Sequence, residues 1–192
     1  MKFKNILPIA IFCVAAQAYF SPAKAENQWS GVVTYVTDGD TLWVRPLAAG
    51  TGKSASTQPR KIRIDGIDAP ESCQLYGAQS TAALKKLVVS KTVTVKTNRV
   101  DDYGRDVAKI TLKDTDVGTW MVSNGYAWSY HYRHGAGPYR AEEETAAKAH
   151  MGLFADAAAI EPRFFRREHG SCQSQKNSNG ANVAQPHRKR YN

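Results

Sequence analysis

The chain has 192 residues and a formal net charge of +9, room for one domain with a real core and some spare length at its ends. That balance favours polyanionic partners without choosing among them. Three cysteines without zinc-ligand spacing and histidines (His131, His134, His150 and His169 among them) without a metal-binding pattern argue against a zinc centre.

Residues 1–25 read as a leader. Lys2 and Lys4 form a positive start, Ile6 to Phe20 is an apolar run too short for a comfortable membrane span, and Ala23-Lys24-Ala25 has the small-x-small pattern of a signal-peptidase site. Cleavage there predicts an exported protein, periplasmic or secreted, with no stable membrane association and a formal charge of +6 (23 basic minus 17 acidic residues). It also leaves an even pair of cysteines, Cys73 and Cys172, which in an exported chain reads as one disulfide.

Trp29 to Val36 alternates apolar and polar residues, and Leu42-Trp43-Val44 follows an Asp38-Gly39-Asp40 turn, so a hairpin is expected. Gly39 between two aspartates suits a bend that needs positive φ. Leu47 to Pro59, rich in Ala, Gly, Ser and Thr, reads as a flexible excursion. Lys61-Ile62-Arg63-Ile64 begins a third strand with basic residues on one face and isoleucines on the other. Gly77 to Ser90 has helical spacing, Thr92 to Val95 and Val107 to Leu112 alternate as strands, and Asp101 to Arg105 is a turn between them. A short helix over Val117 to Asn124 and a longer one over Tyr139 to His150, with Pro138 at its entry, complete the pattern. The stretch 173–192 is polar, basic and aperiodic, which predicts a disordered tail. Five short strands interrupted by helix suit an α+β fold, a small closed barrel of the oligonucleotide-binding type.

Two acidic corners stand out. Asp38 and Asp40 flank the first turn, and Asp68-Ala69-Pro70-Glu71 forms a stiff second one, because the residue before proline must be extended. If their strands are neighbours, Asp40 and Asp68 converge on one hard cation, with the Ala69 carbonyl as a further oxygen ligand. Glu71 is then placed to orient or deprotonate a water, and Arg63 and Arg105 to grip phosphate through paired donors. That is a phosphodiester-hydrolysing site in outline. Taken singly, each corner is ordinarily a solvated turn, and each arginine ordinarily lies on a wet face.

Together and in this order, Asp38-Gly39-Asp40-Thr41, Arg63 to Glu71 and Asp102-Tyr103-Gly104-Arg105 resemble the three signatures of the staphylococcal nuclease (thermonuclease) family, over about 29–154. The resemblance implies a five-stranded OB-fold barrel with three helices, and a Ca2+-dependent nuclease that cuts DNA and RNA and leaves 3′-phosphate ends. It carries the roles of calcium ligands onto Asp40, Asp68 and Ala69, of phosphate-binding catalytic arginines onto Arg63 and Arg105, and of the catalytic residue at the water onto Glu71, as a true base or as an electrostatic organiser. Tyr103 matches a family tyrosine, and Trp128, Tyr130 and Tyr132 correspond loosely to base-stacking rings, with packing an equal alternative for Trp128. Single strands would be favoured and the protein would act as a monomer.

Departures from the prototype are Ala69 in place of a threonine, Asp102 in place of a lysine, and a longer 47–59 loop. Pro162 to Arg167 resembles a tail of exported bacterial members and reads as structural, so a nuclease domain over 26–172 has its extension at 155–172. A non-catalytic module that binds single-stranded nucleic acid is the competing reading. Such a binder would be free to lose Asp40, Glu71 or an arginine, and none is missing.

Overall fold

The computed structural model describes residues 28–47, 58–130, 135–170 and 172. The leader, most of the 47–59 excursion, Tyr132 and the 173–192 tail lie outside them. Five main strands form the barrel: β1 (Gln28–Asp38), β2 (Thr41–Pro46), β3 (Arg60–Ile64), β5 (Thr92–Val100) and β6 (Asp106–Leu112). Two-residue strands β4 (Ile67–Asp68), β7 (Thr115–Asp116) and β8 (Trp128–Ser129) accompany them. Helix α1 (Gly77–Val88) follows β4, α2 (Val117–Ser123) follows β7, and α3 (Arg140–Lys148) and α4 (Pro162–His169) close the described chain. The barrel and the first three helices match the expected α+β architecture, to which the structure adds α4.

The order β3-β2-β1-β5-β6 is antiparallel throughout, and a parallel pairing of β3 with β6, Arg63 opposite Val107, closes the sheet on itself. Closure leaves no exposed edge at that seam. Alternation decides what lies inside. Ile62 and Ile64 of β3 and Val93 and Val95 of β5 are buried, while Lys61 and Arg63 take the opposite face. In β1 a register shift between Val33 and Tyr35 breaks the period of two, which is how Val33 and Val36, three apart, both enter the core. Leu84 and Val88, one turn apart on α1, are buried in that same core, as are Val117, Met121 and Val122 of α2.

Two features of this frame matter for the site. The ladder of β4 with β8 pairs Asp68 with Trp128 and Ile67 with Ser129, pinning the second acidic corner. Gly39 does not occupy the left-handed region, contrary to expectation. It is needed for close approach instead: a methyl group there would collide with Ser80 Oγ of α1 and with Ala69 Cβ. The first turn therefore lies directly against the second corner. Among the described residues no helix is long and apolar enough to cross a membrane.

Candidate active site

Both acidic corners meet at one guanidinium. Arg63 projects from the face of β3 opposite the core, and its Nη1 lies 3.1 Å from Asp40 Oδ2 while its Nη2 donates to Asp68 Oδ1 at 3.0 Å. Nη1 also donates to the Ile67 carbonyl at 3.0 Å, which fixes the plane of the group. Asp40 and Asp68 are only 8 % and 2 % exposed. Charged groups so deep are tolerated only when paired. Burial opposes ionisation of Asp40, but Arg63 and the Thr41 hydroxyl outweigh it and hold the carboxyl below its ordinary range. For Asp68 burial wins: its pKa stays raised even though Arg166 and Arg63 pull it down.

The corners are also stitched through the backbone. The Ile64 amide donates to the Asp40 carbonyl at 2.8 Å, and the Ala69 amide donates to Asp40 Oδ2 at 3.3 Å. A cavity of about 590 Å³ opens beside them, lined by Arg63, Ala69, Glu71, Tyr103, Arg105 and Tyr130 among others. Thus Asp40, Asp68, Ala69, Arg63, Glu71 and Arg105 come together at one place.

Arg105 enters from the turn between β5 and β6. Asp101 organises that turn, accepting from the amides of Tyr103 (3.0 Å) and Arg105 (2.9 Å) and from Arg105 Nε at 2.8 Å. Burial raises the Asp101 pKa, yet these hydrogen bonds prevail and leave it lowered. Tyr103 sits at the turn's tip, 85 % exposed, with the Arg105 guanidinium 5.3 Å from its ring centre. Tyr130 follows β8, and the Arg63 guanidinium lies 5.8 Å from its ring centre. Trp128 is buried edge-on against Phe154, so packing is its role. His150 and His169 are exposed, as expected of solvated histidines.

Three residues carry more of the site than sequence reasoning assigned to them. Gln74 is buried; its side-chain oxygen accepts from the Glu71 amide at 3.1 Å, and its nitrogen donates to the Ile160 carbonyl at 2.6 Å. Asp101, read only as a turn residue, holds Arg105. The third is Arg166 of α4. The segment Pro162 to Arg167 reads from sequence as structural, and the structure adds a contact with the two acids that this reading does not foresee. Arg166 Nη2 donates to Asp68 Oδ2 at 2.9 Å, while Nη1 donates to Asp68 Oδ1 at 3.2 Å and to Glu71 Oε1 at 3.0 Å. The expected Cys73–Cys172 disulfide is present, with Cα atoms 5.7 Å apart, and ties the end of α4's segment to the chain just beyond Glu71.

No cluster of three or more Asp, Glu, His or Cys side chains is arranged to hold a metal among the described residues. The donor set nevertheless suits a hard divalent cation. Asp40 and Asp68 offer only oxygens, are buried against one shared positive charge, and leave the remaining positions to carbonyl, water and substrate. Nothing in the set suits a softer metal.

Asp38 gives a pH-dependent signature. Burial and the neighbouring Asp40 carboxylate push its pKa from 3.8 up to about 7. The folded form therefore keeps a proton that the unfolded chain has already released, so stability falls as pH climbs through that window. In chelator, Asp38→Asn is expected to raise the melting temperature above pH 7, with the gain shrinking to nothing towards pH 4. Melting curves across that range check it, and a gain that is constant with pH would refute it.

Comparison with known proteins agrees with this geometry. A family profile described as "Staphylococcal nuclease homologue" matches residues 61–156. An "Uncharacterized endonuclease" of Haemophilus influenzae is 34 % identical over 137 residues, covering 71 % of this chain and 72 % of the relative. A "Micrococcal nuclease" of Shigella flexneri is 32 % identical over 177 residues, covering 85 % and 95 %, and "Protein ParB" of Escherichia coli is 33 % identical over 172 residues, covering 83 % and 90 %. With the closed barrel and the acid–arginine pocket already in view, these similarities establish that the chain belongs to the staphylococcal nuclease family and is a hydrolase of the nuclease class.

Proposed function

We propose that the protein is a calcium-dependent, sequence-nonspecific nuclease that hydrolyses phosphodiester bonds of DNA and RNA and leaves 3′-phosphate ends. The observation that carries this reading is the single guanidinium of Arg63 joining Asp40 to Asp68 at the wall of a cavity that Glu71 and Arg105 also line. A binding module has no need to bury two carboxylates against one arginine.

In this mechanism Asp40, Asp68 and the Ala69 carbonyl hold the calcium, which when bound supplies Lewis-acid polarisation of a phosphoryl oxygen. Glu71 takes or steers the proton of the attacking water. Arg63 and Arg105 offset the negative charge that builds at phosphorus as the bond to the 5′ oxygen breaks. The exposed Tyr103 ring and the Tyr130 ring beside Arg63 offer stacking surfaces that accept any base, which fits single strands better than a stacked duplex, and the family resemblance gives Tyr132 the same role. The same reading has a leader over 1–25, a nuclease domain over 26–172 and a basic tail over 173–192. The exported protein then acts as a monomer in the periplasm or outside the cell.

The test is digestion of single-stranded DNA, duplex DNA and RNA by mature protein across a calcium series, with analysis of product ends. Cleavage of all three that vanishes in chelator and leaves 3′-phosphates is the expected result. Retention of single strands without cleavage, unaffected by chelator, would replace the nuclease by a binding module.

A further inference from the structure

Helix α4 carries three arginines, Arg163, Arg166 and Arg167, with different surroundings. Arg163 pairs with Glu161 next to it, and both Arg163 and Arg167 lie against the exposed ring of Phe164. Arg166 turns inward to the cavity and makes three charge-assisted hydrogen bonds there, two to Asp68 and one to Glu71. A long side chain with an always-charged head gives up rotamer freedom and hydration to do this. Its guanidinium spans two acids that the reaction needs for different purposes. Among the described residues it is the one side-chain partner of the Glu71 carboxylate, whose backbone is separately held by Gln74. On Asp68 it covers both oxygens, and these are the atoms a cation would need.

We propose that Arg166 is a positioning residue: it holds the Glu71 carboxylate in place for the water, and it covers Asp68 until a divalent cation displaces it. This rests on the calcium-dependent nuclease reading above. One nitrogen, Nη1, touches both acids, so the guanidinium can release Asp68 while staying on Glu71. The neighbouring disulfide and the Gln74–Ile160 bond keep α4 within reach throughout. Arg166 thus works through Glu71 and Asp68.

The experiment compares mature wild type with Arg166→Ala and Arg166→Lys. Calcium binding is titrated calorimetrically without substrate. Turnover and KM on single-stranded DNA are measured at saturating calcium, and melting temperature in chelator. For Arg166→Ala, calcium should bind roughly tenfold tighter, since a charge-assisted competitor is gone. At saturating calcium kcat should fall about tenfold, with KM within about twofold, because the water-handling group is no longer oriented. Arg166→Lys keeps one positive point without the fork, so its calcium affinity should stay near wild type while kcat recovers only in part.

Unchanged calcium affinity together with unchanged kcat would reduce Arg166 to packing and overturn the proposal. A rise in kcat at saturating calcium would make it an inhibitory plug, which also overturns it. If alanine unfolds the protein, the lysine variant decides alone: wild-type kcat with wild-type calcium affinity refutes the role. Wild-type protein that neither binds calcium nor cleaves would instead bring down the underlying nuclease reading, a failure visible before any variant is compared.

Discussion

Replacing Arg63 by alanine is expected to lower turnover by about 10²–10³-fold, the loss seen when a donor aimed at developing charge is deleted. The same change should lower stability by about 3–5 kcal/mol, because Asp40 is left buried without its counter-charge while Asp68 keeps Arg166. The two losses separate by adding calcium. A divalent cation restores positive charge between the carboxylates, so calcium should raise the melting temperature of Arg63→Ala far more than that of wild type. Turnover at saturating calcium should stay low, since the guanidinium proposed to face the phosphate is still missing. Arg63→Lys should fall between, because a single ammonium cannot reach Asp40, Asp68 and the Ile67 carbonyl with the same fork. An alanine variant within threefold of wild-type turnover would remove Arg63 from the machinery. The assay is initial rate on denatured DNA, paired with melting curves in chelator and in calcium.

Glu71→Gln is the second large effect, and of the opposite kind. Glu71 is half-buried at the cavity edge, and its amide, not its side chain, is what Gln74 holds. Glutamine keeps an oxygen for Arg166 and almost the same shape. Stability should therefore fall by only about 1 kcal/mol, because the hydrogen bond to Arg166 survives while its charge assistance is lost. Turnover should drop by about 10²–10⁴-fold if the carboxylate handles the proton of the attacking water. KM and calcium affinity should hold, which marks an interaction made only in the transition state. Retention of more than a tenth of wild-type turnover would show that hydrogen-bonding shape at this position suffices and that no proton acceptor is required.

Much of this arrangement was legible in the chain itself, for identifiable reasons. The strands announce themselves through alternation, as in Lys61 to Ile64, where the residues of the outer face and those that face the core take turns. The two acidic corners were recognisable because turn residues and carboxylates fall together, and their convergence followed once the strands were neighbours. The role of Gly39 was misjudged, since glycine answers to two different demands, positive φ and lack of a Cβ, and only the packing against Ser80 and Ala69 tells them apart. Arg166 was missed because an arginine in a run of arginines and phenylalanines on a short helix has the look of a solvated face. Its partner Asp68 is 98 residues away, and no local pattern encodes that meeting. Asp101 and Gln74 escaped for a related reason: they act on the site through neighbours, so their chemistry leaves no motif of its own.

The parallel seam between β3 and β6 has a consequence for how this protein comes alive. Arg63 and Arg105 are brought to one cavity only when Ile62, Arg63 and Ile64 have met Asp106, Val107 and Ala108, about forty residues later in the chain. Such distant pairings form slowly and late. A chain whose seam is still open therefore carries its two arginines on separate segments, without the cavity they share in the closed barrel. Nuclease activity should thus return on refolding only together with barrel closure, so that turnover reports formation of this seam.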